Sequence, residues 1–245
     1  MPASSKDGAD AEFEGGGAQE VVSILQNPEL PTGCEVTAAT MLLNAYGYDV
    51  EKTELADALE KDSIETVDDK DYAVHPEVAF IGNPIYSSSF GVFPHPVAKA
   101  MQKFIDEQGG EHVATPLYGL TEEEILAYCD AGIPLCIWSS MNNTEIKYIG
   151  GWHIIADGEY TEEYFYWPAN EHCLVLTDYD SENVYVCDPL KGECSYPRES
   201  FFRHYEQVGC YALVMGPVEI LYEEASADDA EDKAEKGVSA DDSAE

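Results

Sequence analysis

Apolar positions recur along this chain with two different periods, and the change of period divides it into a first and a second half. From Cys34 to Tyr46 (CEVTAATMLLNAY) apolar and small residues run almost without a break, which predicts a buried helix closed by Gly47. Thr53 is placed to cap a second, short helix through Leu59. A third is predicted over Pro96 to Gln108, with proline near its first turn and Gly109-Gly110 beyond its end. Thr121-Glu-Glu-Glu124 has capping-box spacing and opens a fourth, which Gly132 ends. Beyond it the pattern shortens to apolar and β-branched runs at Ile133–Ser139, His172–Asp178, Val184–Cys187 and Cys210–Met215, which predict strands. Asp180-Ser-Glu-Asn183 supplies a turn between the second and third of these, and a short helix around Glu199 to Tyr205 precedes the last. Helices first and an antiparallel sheet afterwards predict a single α+β domain over residues 21–222.

The flanks have no such pattern. Residues 1–20 read as a flexible acidic linker and residues 223–245 as a disordered, solvated acidic tail. The formal charge is −37; residues 1–20 contribute −4 and residues 223–245 contribute −8, leaving −25 for the part between. Acidity is therefore a property of the domain, and it excludes a phosphate-backbone partner: no nucleic-acid binding is expected. High solubility is the simpler consequence, and attraction of cationic substrates the more specific one. No apolar run approaches the roughly 18 residues a membrane helix needs, so no spanning segment is expected, and no signal peptide is visible. Seven cysteines leave at least one thiol free or paired outside the chain, a count that fits a secreted enzyme with up to three disulfides and a reduced cytosolic protein equally well. A bridge between Cys187 and Cys194, across Asp-Pro-Leu-Lys-Gly-Glu, is a plausible hairpin staple. A Ser/Gly/acidic leader is common behind a removed export signal. Together with the cysteine count it sets the expectation of an extracytoplasmic location; the chain is separately expected to be a monomer.

Candidate chemistry sits at three points. Cys34 opens the first helix, where the macrodipole favours thiolate over thiol. His172 opens one predicted strand and Asp188 ends the next, which supplies a base and a carboxylate to orient it. Gln26, eight residues before the cysteine, offers a side-chain amide to an oxyanion, with the backbone N–H of Cys34 as the companion donor. Taken singly, a buried structural thiol, a satisfied sheet histidine and a turn carboxylate are each the commoner reading. Their joint order in the chain is what points to acyl transfer through a thiol. His153 is a rival base, but Gly150-Gly-Trp before it reads as loop. His75 and His95 lack further ligands at metal spacing, so neither a metal nor a cofactor is expected. The aromatic-rich segment 141–168 divides evenly between a substrate groove and a satellite core.

The segments Gln26 to Glu35, Ala79-Phe-Ile-Gly-Asn-Pro84 with Gly91-Val-Phe-Pro-His-Pro96, Trp167-Pro-Ala-Asn-Glu-His172-Cys and Tyr185-Val-Cys-Asp188-Pro-Leu carry a resemblance. Over roughly residues 21–216 the chain resembles the papain-like cysteine peptidases, specifically stand-alone bacterial relatives of the double-glycine leader peptidases of bacteriocin exporters. That resemblance implies a papain-like α+β fold, with the nucleophile helix in the first half and His and Asp on the later sheet. It places the nucleophile on Cys34, the base on His172, the orienting carboxylate on Asp188 and the oxyanion donor on Gln26. Gly33, Trp167 and Asn170, within the same motifs, are the implied substrate contacts, and a peptide or protein is the implied partner. The exporter enzymes add transport and ATP-binding domains that this sequence lacks, so the chemistry transfers and the leader substrate does not. A cell-envelope amidase or transpeptidase would use the same residues with another acceptor. A binding module on a papain-like frame would be free to lose the Cys, His and Asp that are all present.

Overall fold

The computed structural model describes residues 20–217. The predicted linker, except Glu20, and the predicted tail lie outside the described residues. Chain order is α1 (Cys34–Ala45), α2 (Lys52–Ala58), β1 (Lys61–Asp62), β2 (Glu65–Val67), β3 (Lys70–Ala73), β4 (Phe80–Ile81), α3 (Pro94–Glu107), β5 (His112–Tyr118) and α4 (Glu122–Asp130). There follow β6 (Leu135–Ser140), β7 (Tyr148–Ala156), β8 (Glu159–Pro168), β9 (Glu171–Tyr179), β10 (Asn183–Asp188), β11 (Gly192–Pro197), α5 (Arg198–Val208) and β12 (Tyr211–Pro217).

The main sheet has six strands in the order β11-β10-β9-β6-β12-β5, every neighbouring pair antiparallel. Both of its faces are covered, which is why β6 and β9 read as unbroken apolar runs. Strand alternation divides their side chains. Cys136, Trp138, Cys173 and Val175 join the core beneath α1 and α3. Leu135, Ile137, Leu174 and Leu176 join a second core with Ile125 of α4 and Phe201, Phe202 and Tyr205 of α5. Helix α1 is buried at every position except Asn44, and it packs on β9, β6, α2 and α3.

A second sheet, β2-β3-β7-β8, was not anticipated from the sequence. The stretch around His153 is strand, not loop: β7 and β8 pair antiparallel around Asp157-Gly158, both with positive φ (52° and 79°), the geometry of a tight hairpin turn. Gly151 belongs to that strand because a Cβ there would meet the Phe165 carbonyl oxygen at 1.8 Å. The hairpin resolves the aromatic segment by alternation. Trp152, Phe165 and Trp167 turn inward and stack with Phe90 and Phe93, while Tyr160, Tyr164 and Tyr166 face outward. Two helix starts also move. Glu51 caps α2 in place of Thr53 through a reciprocal box with Glu54, and α3 begins at Pro94 rather than Pro96. The Thr121 box of α4 and the Asp180 turn stand as predicted.

Trp138 ties the main sheet to the loop ahead of α3 by donating its indole N–H to the Val92 carbonyl at 2.9 Å in a fully buried setting. Trp138→Phe keeps most of the packing and orphans that carbonyl. Its urea midpoint should fall by the equivalent of about 1–3 kcal/mol with an unchanged slope. An unshifted midpoint would show that the bond holds nothing in place.

Candidate active site

Cys34 is the first residue of α1, and the turns before it are built to hold it there. The Thr32 backbone N–H donates to Pro84 O at 3.2 Å and its hydroxyl to Tyr86 O at 3.0 Å, clamping the approach against the loop after β4. Gly33 is required by closeness: a Cβ on it would lie 2.7 Å from the Cβ of Leu30. The Cys34 sulfur lies against β9, where the backbone N–H of Cys173 points at it.

That N–H is free for the sulfur because β10 stops pairing with β9 at Cys187 and Val175. Beyond that point Asp188 pairs only with Gly192 of β11, and Pro189 begins the turn. The Asp188 carboxylate is fully buried and saturated: Oδ1 accepts from His172 Nε2 at 2.7 Å and from the Leu190 N–H at 2.7 Å, and Oδ2 accepts from the Tyr196 hydroxyl at 2.7 Å. With Nε2 engaged, Nδ1 of His172 is the nitrogen left for chemistry. Gln26 reaches the same place from the other side. Its backbone N–H donates to Pro189 O at 2.8 Å, and its side-chain Nε2 donates to Pro31 O at 2.9 Å. An amide nitrogen carries two hydrogens, so one remains to be offered. Its Oε1 is buried without a partner.

The fold thus gathers Gln26, Cys34, His172 and Asp188 at one end of β9. His153 stays in the second sheet, its ring against Tyr72 and Tyr164. Two of the implied substrate contacts have other employment. Trp167 is buried in the aromatic stack, and the Asn170 side chain fastens the loop 144–147 through Lys147 N (2.8 Å), Thr144 Oγ1 (3.0 Å) and Glu145 O (3.0 Å). The expected Cys187–Cys194 bridge is absent, and all seven cysteines are free thiols. The hairpin register is the reason: Cys187 faces Glu193 and Cys194 faces Val186, so the two residues are offset by one and point to opposite faces.

The sequence pattern of the Peptidase_C39 like family matches residues 18–213. The chain belongs to that family. It is 27% identical to the uncharacterized protein YvpB of Bacillus subtilis over 205 residues, covering 82% of this chain and 77% of YvpB. The crystal structure of a C39-like peptidase from Bacillus anthracis is similar at 30% identity and a TM-score of 0.69, with 80% of this chain and 94% of that one covered. A double-glycine motif protease from an AMS/PCAT transporter, solved with its leader peptide, is similar at 17% identity and a TM-score of 0.45, covering 82% and 95%. Family and fold support a cysteine-peptidase type of function.

Within this C39-like frame the electrostatics around the sulfur differ from the sequence expectation. Burial, then Glu35 and Glu171, drive the Cys34 thiol well above its usual value, outweighing the Cys173 N–H that favours thiolate. Among the described residues the thiol's hydrogen bond runs to Glu35 Oε2 at 3.4 Å, not to His172. Burial also raises Glu35 to about 7 and, with the neighbouring Glu35, lifts Glu171 well above the carboxylate range. Burial pushes Asp188 up too, but His172, Tyr196 and the Leu190 N–H prevail and hold it at about 2. Sequence reasoning gave no role to Glu35, Glu171 or Tyr196. The two glutamates flank the named Cys and His, which was the available signal; Tyr196 is visible only once the β10–β11 hairpin is folded.

These shifts give stability a sign on each side. Asp188, depressed from 3.8 to about 2, contributes above the unfolded value, and that contribution is lost as pH falls towards 2. Glu35, raised from 4.5 to about 7, contributes below 4.5 and loses its contribution as pH rises through 7. Melting temperature should therefore peak near pH 4–5 and decline to pH 8, with about 3 kcal/mol at most from Glu35. Glu35→Gln should flatten the alkaline decline. A wild-type melting temperature that stays constant from pH 5 to 8 would refute the assignment.

Proposed function

We propose that this protein is a thiol-dependent hydrolase of peptide or protein amide bonds, with Cys34 as nucleophile, His172 as base and Asp188 as orienter. The observation that carries the reading is the convergence at the start of β9. The Cys34 sulfur meets the N–H of Cys173, and the residue before it, His172, is locked through Nε2 to a saturated, buried carboxylate.

In this reading Nδ1 of His172 takes the thiol proton and the sulfur attacks the carbonyl carbon. Asp188 fixes the ring and stabilises the imidazolium, remaining ionised throughout. The oxyanion is received by the Cys34 N–H, one of the unpaired donors of the helix start, and by the second hydrogen of Gln26 Nε2. The imidazolium then protonates the leaving amine, and water attacks the acyl-enzyme along the same path in reverse. Cys34 and His172 share no hydrogen bond among the described residues, and in this reading the two come within reach when a peptide is bound.

Cys34→Ala should abolish cleavage of a peptide substrate while leaving the melting curve near wild type, since only a small buried group is lost. Gln26→Ala should lower kcat by about 10²–10³ with little change in KM, and Cys34 should still react with a small alkylating agent. Full turnover in Cys34→Ala would remove the nucleophile, and full turnover in Gln26→Ala would remove only the second oxyanion donor.

A further inference from the structure

The proposed chemistry leaves a buried acid pair unused. Glu35 is fully buried and Glu171 is 7% exposed, and one oxygen of each lies within 4.8 Å of the other and of the Cys34 sulfur. Glu35 is held in place by the Val92 N–H, which donates to Oε1 at 2.9 Å, while its Oε2 faces the thiol. Glu171 Oε2 has no hydrogen-bond partner among the described residues. Gly91 leaves room for the two carboxyls; a Cβ there would lie 2.4 Å from Glu35 Oε1 and 3.0 Å from Glu171 Oε1.

Among the described residues no cation answers these acids. The ion pairs of the described residues lie elsewhere, at Lys52–Glu29, Lys70–Glu162, Lys99–Glu60, Arg198–Glu122 and Arg203–Glu145 among others. The titratable groups that face the pair are Cys34 on α1 itself, Cys173 on β9 and, through Cys173, Cys136 on β6. The loop ahead of α3 brings only Gly91 and the Val92 N–H, and β8 brings the Trp167 ring. His172, next to Glu171 in the chain, is committed to Asp188. Two carboxylates this close and this buried cannot both stay ionised, and the less costly state carries a proton.

We infer that Glu35 and Glu171 form a proton-holding pair that positions the nucleophile and sets the pH range in which its thiolate exists. With the pair protonated, Glu35 turns its O–H to the sulfur and donates to the thiolate formed when His172 Nδ1 takes the thiol proton. When Glu35 loses its proton to solvent, the carboxylate becomes an acceptor, and the sulfur keeps its hydrogen and donates it to Oε2. The same contact thus supports the thiolate in one state and the thiol in the other. Glu35 and Glu171 act through Cys34 and touch no substrate atom. The inference rests on Cys34 as nucleophile and His172 as its proton acceptor.

The consequence reverses ordinary thiol behaviour, in which reactivity rises with pH as thiolate forms. The test is alkylation of the full chain by iodoacetamide from pH 5 to 9, in chelator-containing buffer without peptide, followed by mass mapping of Cys34. The wild-type rate at Cys34 should fall about tenfold between pH 6 and 8, as a group titrating near 7 ionises. Glu35→Gln retains an N–H donor and cannot ionise, so its rate should be level across that range and exceed wild type at pH 8. A wild-type rate that climbs steadily with pH, or a Glu35→Gln rate that still falls, would overturn the pair. Labelling that spares Cys34 at every pH would instead sink the nucleophile assignment. Should Glu35→Gln fail to fold, the infrared carbonyl band of a protonated carboxylic acid decides in the wild-type protein. Its presence at pH 6 and partial loss by pH 8 supports the pair, and its absence at pH 6 refutes it.

Discussion

Everything at the site depends on β10 leaving β9 early. Their pairing ends at Cys187 and Val175; Asp188 still faces Gly192 of β11, and Pro189 begins the turn that follows. Proline has no N–H to continue a ladder, so the turn is written into the chain. The first residues of β9 still pair with β6 through Glu171↔Ser140 and His172↔Ser139, but their other edge is open. An open edge inside a protein must find partners for its N–H groups. Here the sulfur of Cys34 faces the N–H of Cys173, and the Gln26 backbone N–H closes on the Pro189 carbonyl. One interruption in one ladder therefore brings the start of α1, the loop before it, and the ends of two strands to a common point.

The position of Cys34 sets two effects of opposite sign against each other. A helix N-terminus stabilises a charge by about 0.3–1 kcal/mol at the surface and up to ~2 kcal/mol when partly buried. Removing the same charge from water costs several kcal/mol unless donors replace the water. With Cys34 buried and two acids beside it, the second effect wins, and the thiol is held well above its usual value. Asp188 shows the contrasting case: it is just as buried, but three donors replace its water, and it remains ionised.

Local rules made part of this readable in the sequence. The continuous apolar run of α1, the Thr121 capping box and the Asp180 turn depend on neighbours within four residues, and each stands in the structure. The α+β class followed from them. The β7–β8 hairpin carried its own Asp157-Gly158 signal, but Gly150-Gly151 broke the alternation and the outward tyrosines masked it. Gly151 is explained only by the Phe165 carbonyl across the strand pair, a contact between distant positions. The same limit applies to the site. Gln26, Cys34, His172 and Asp188 were legible as residue types in a suggestive order, and the structure gathers them. Trp167 and Asn170 were legible only as motif neighbours, and the first serves the core while the second fastens a loop. Glu35 and Glu171 are 136 positions apart, and nothing short of α1 docking on β9 makes them a pair.

The chain's large negative charge bears on the sulfur less than its size suggests. Of −37 overall, much lies on exposed acids, and water with salt screens such charges beyond about 10 Å. Glu162, Glu60 and Glu145 illustrate this: each is largely exposed and meets a lysine or arginine at the surface. The two acids beside Cys34 are buried and meet no lysine or arginine among the described residues, so each acts on the sulfur far less screened if ionised. A single proton on that pair consequently changes the field at the nucleophile more than the many acids outside. Because the two sets of carboxyls are separated by burial, the surface can be strongly acidic while the field at the Cys34 sulfur is set by the buried pair.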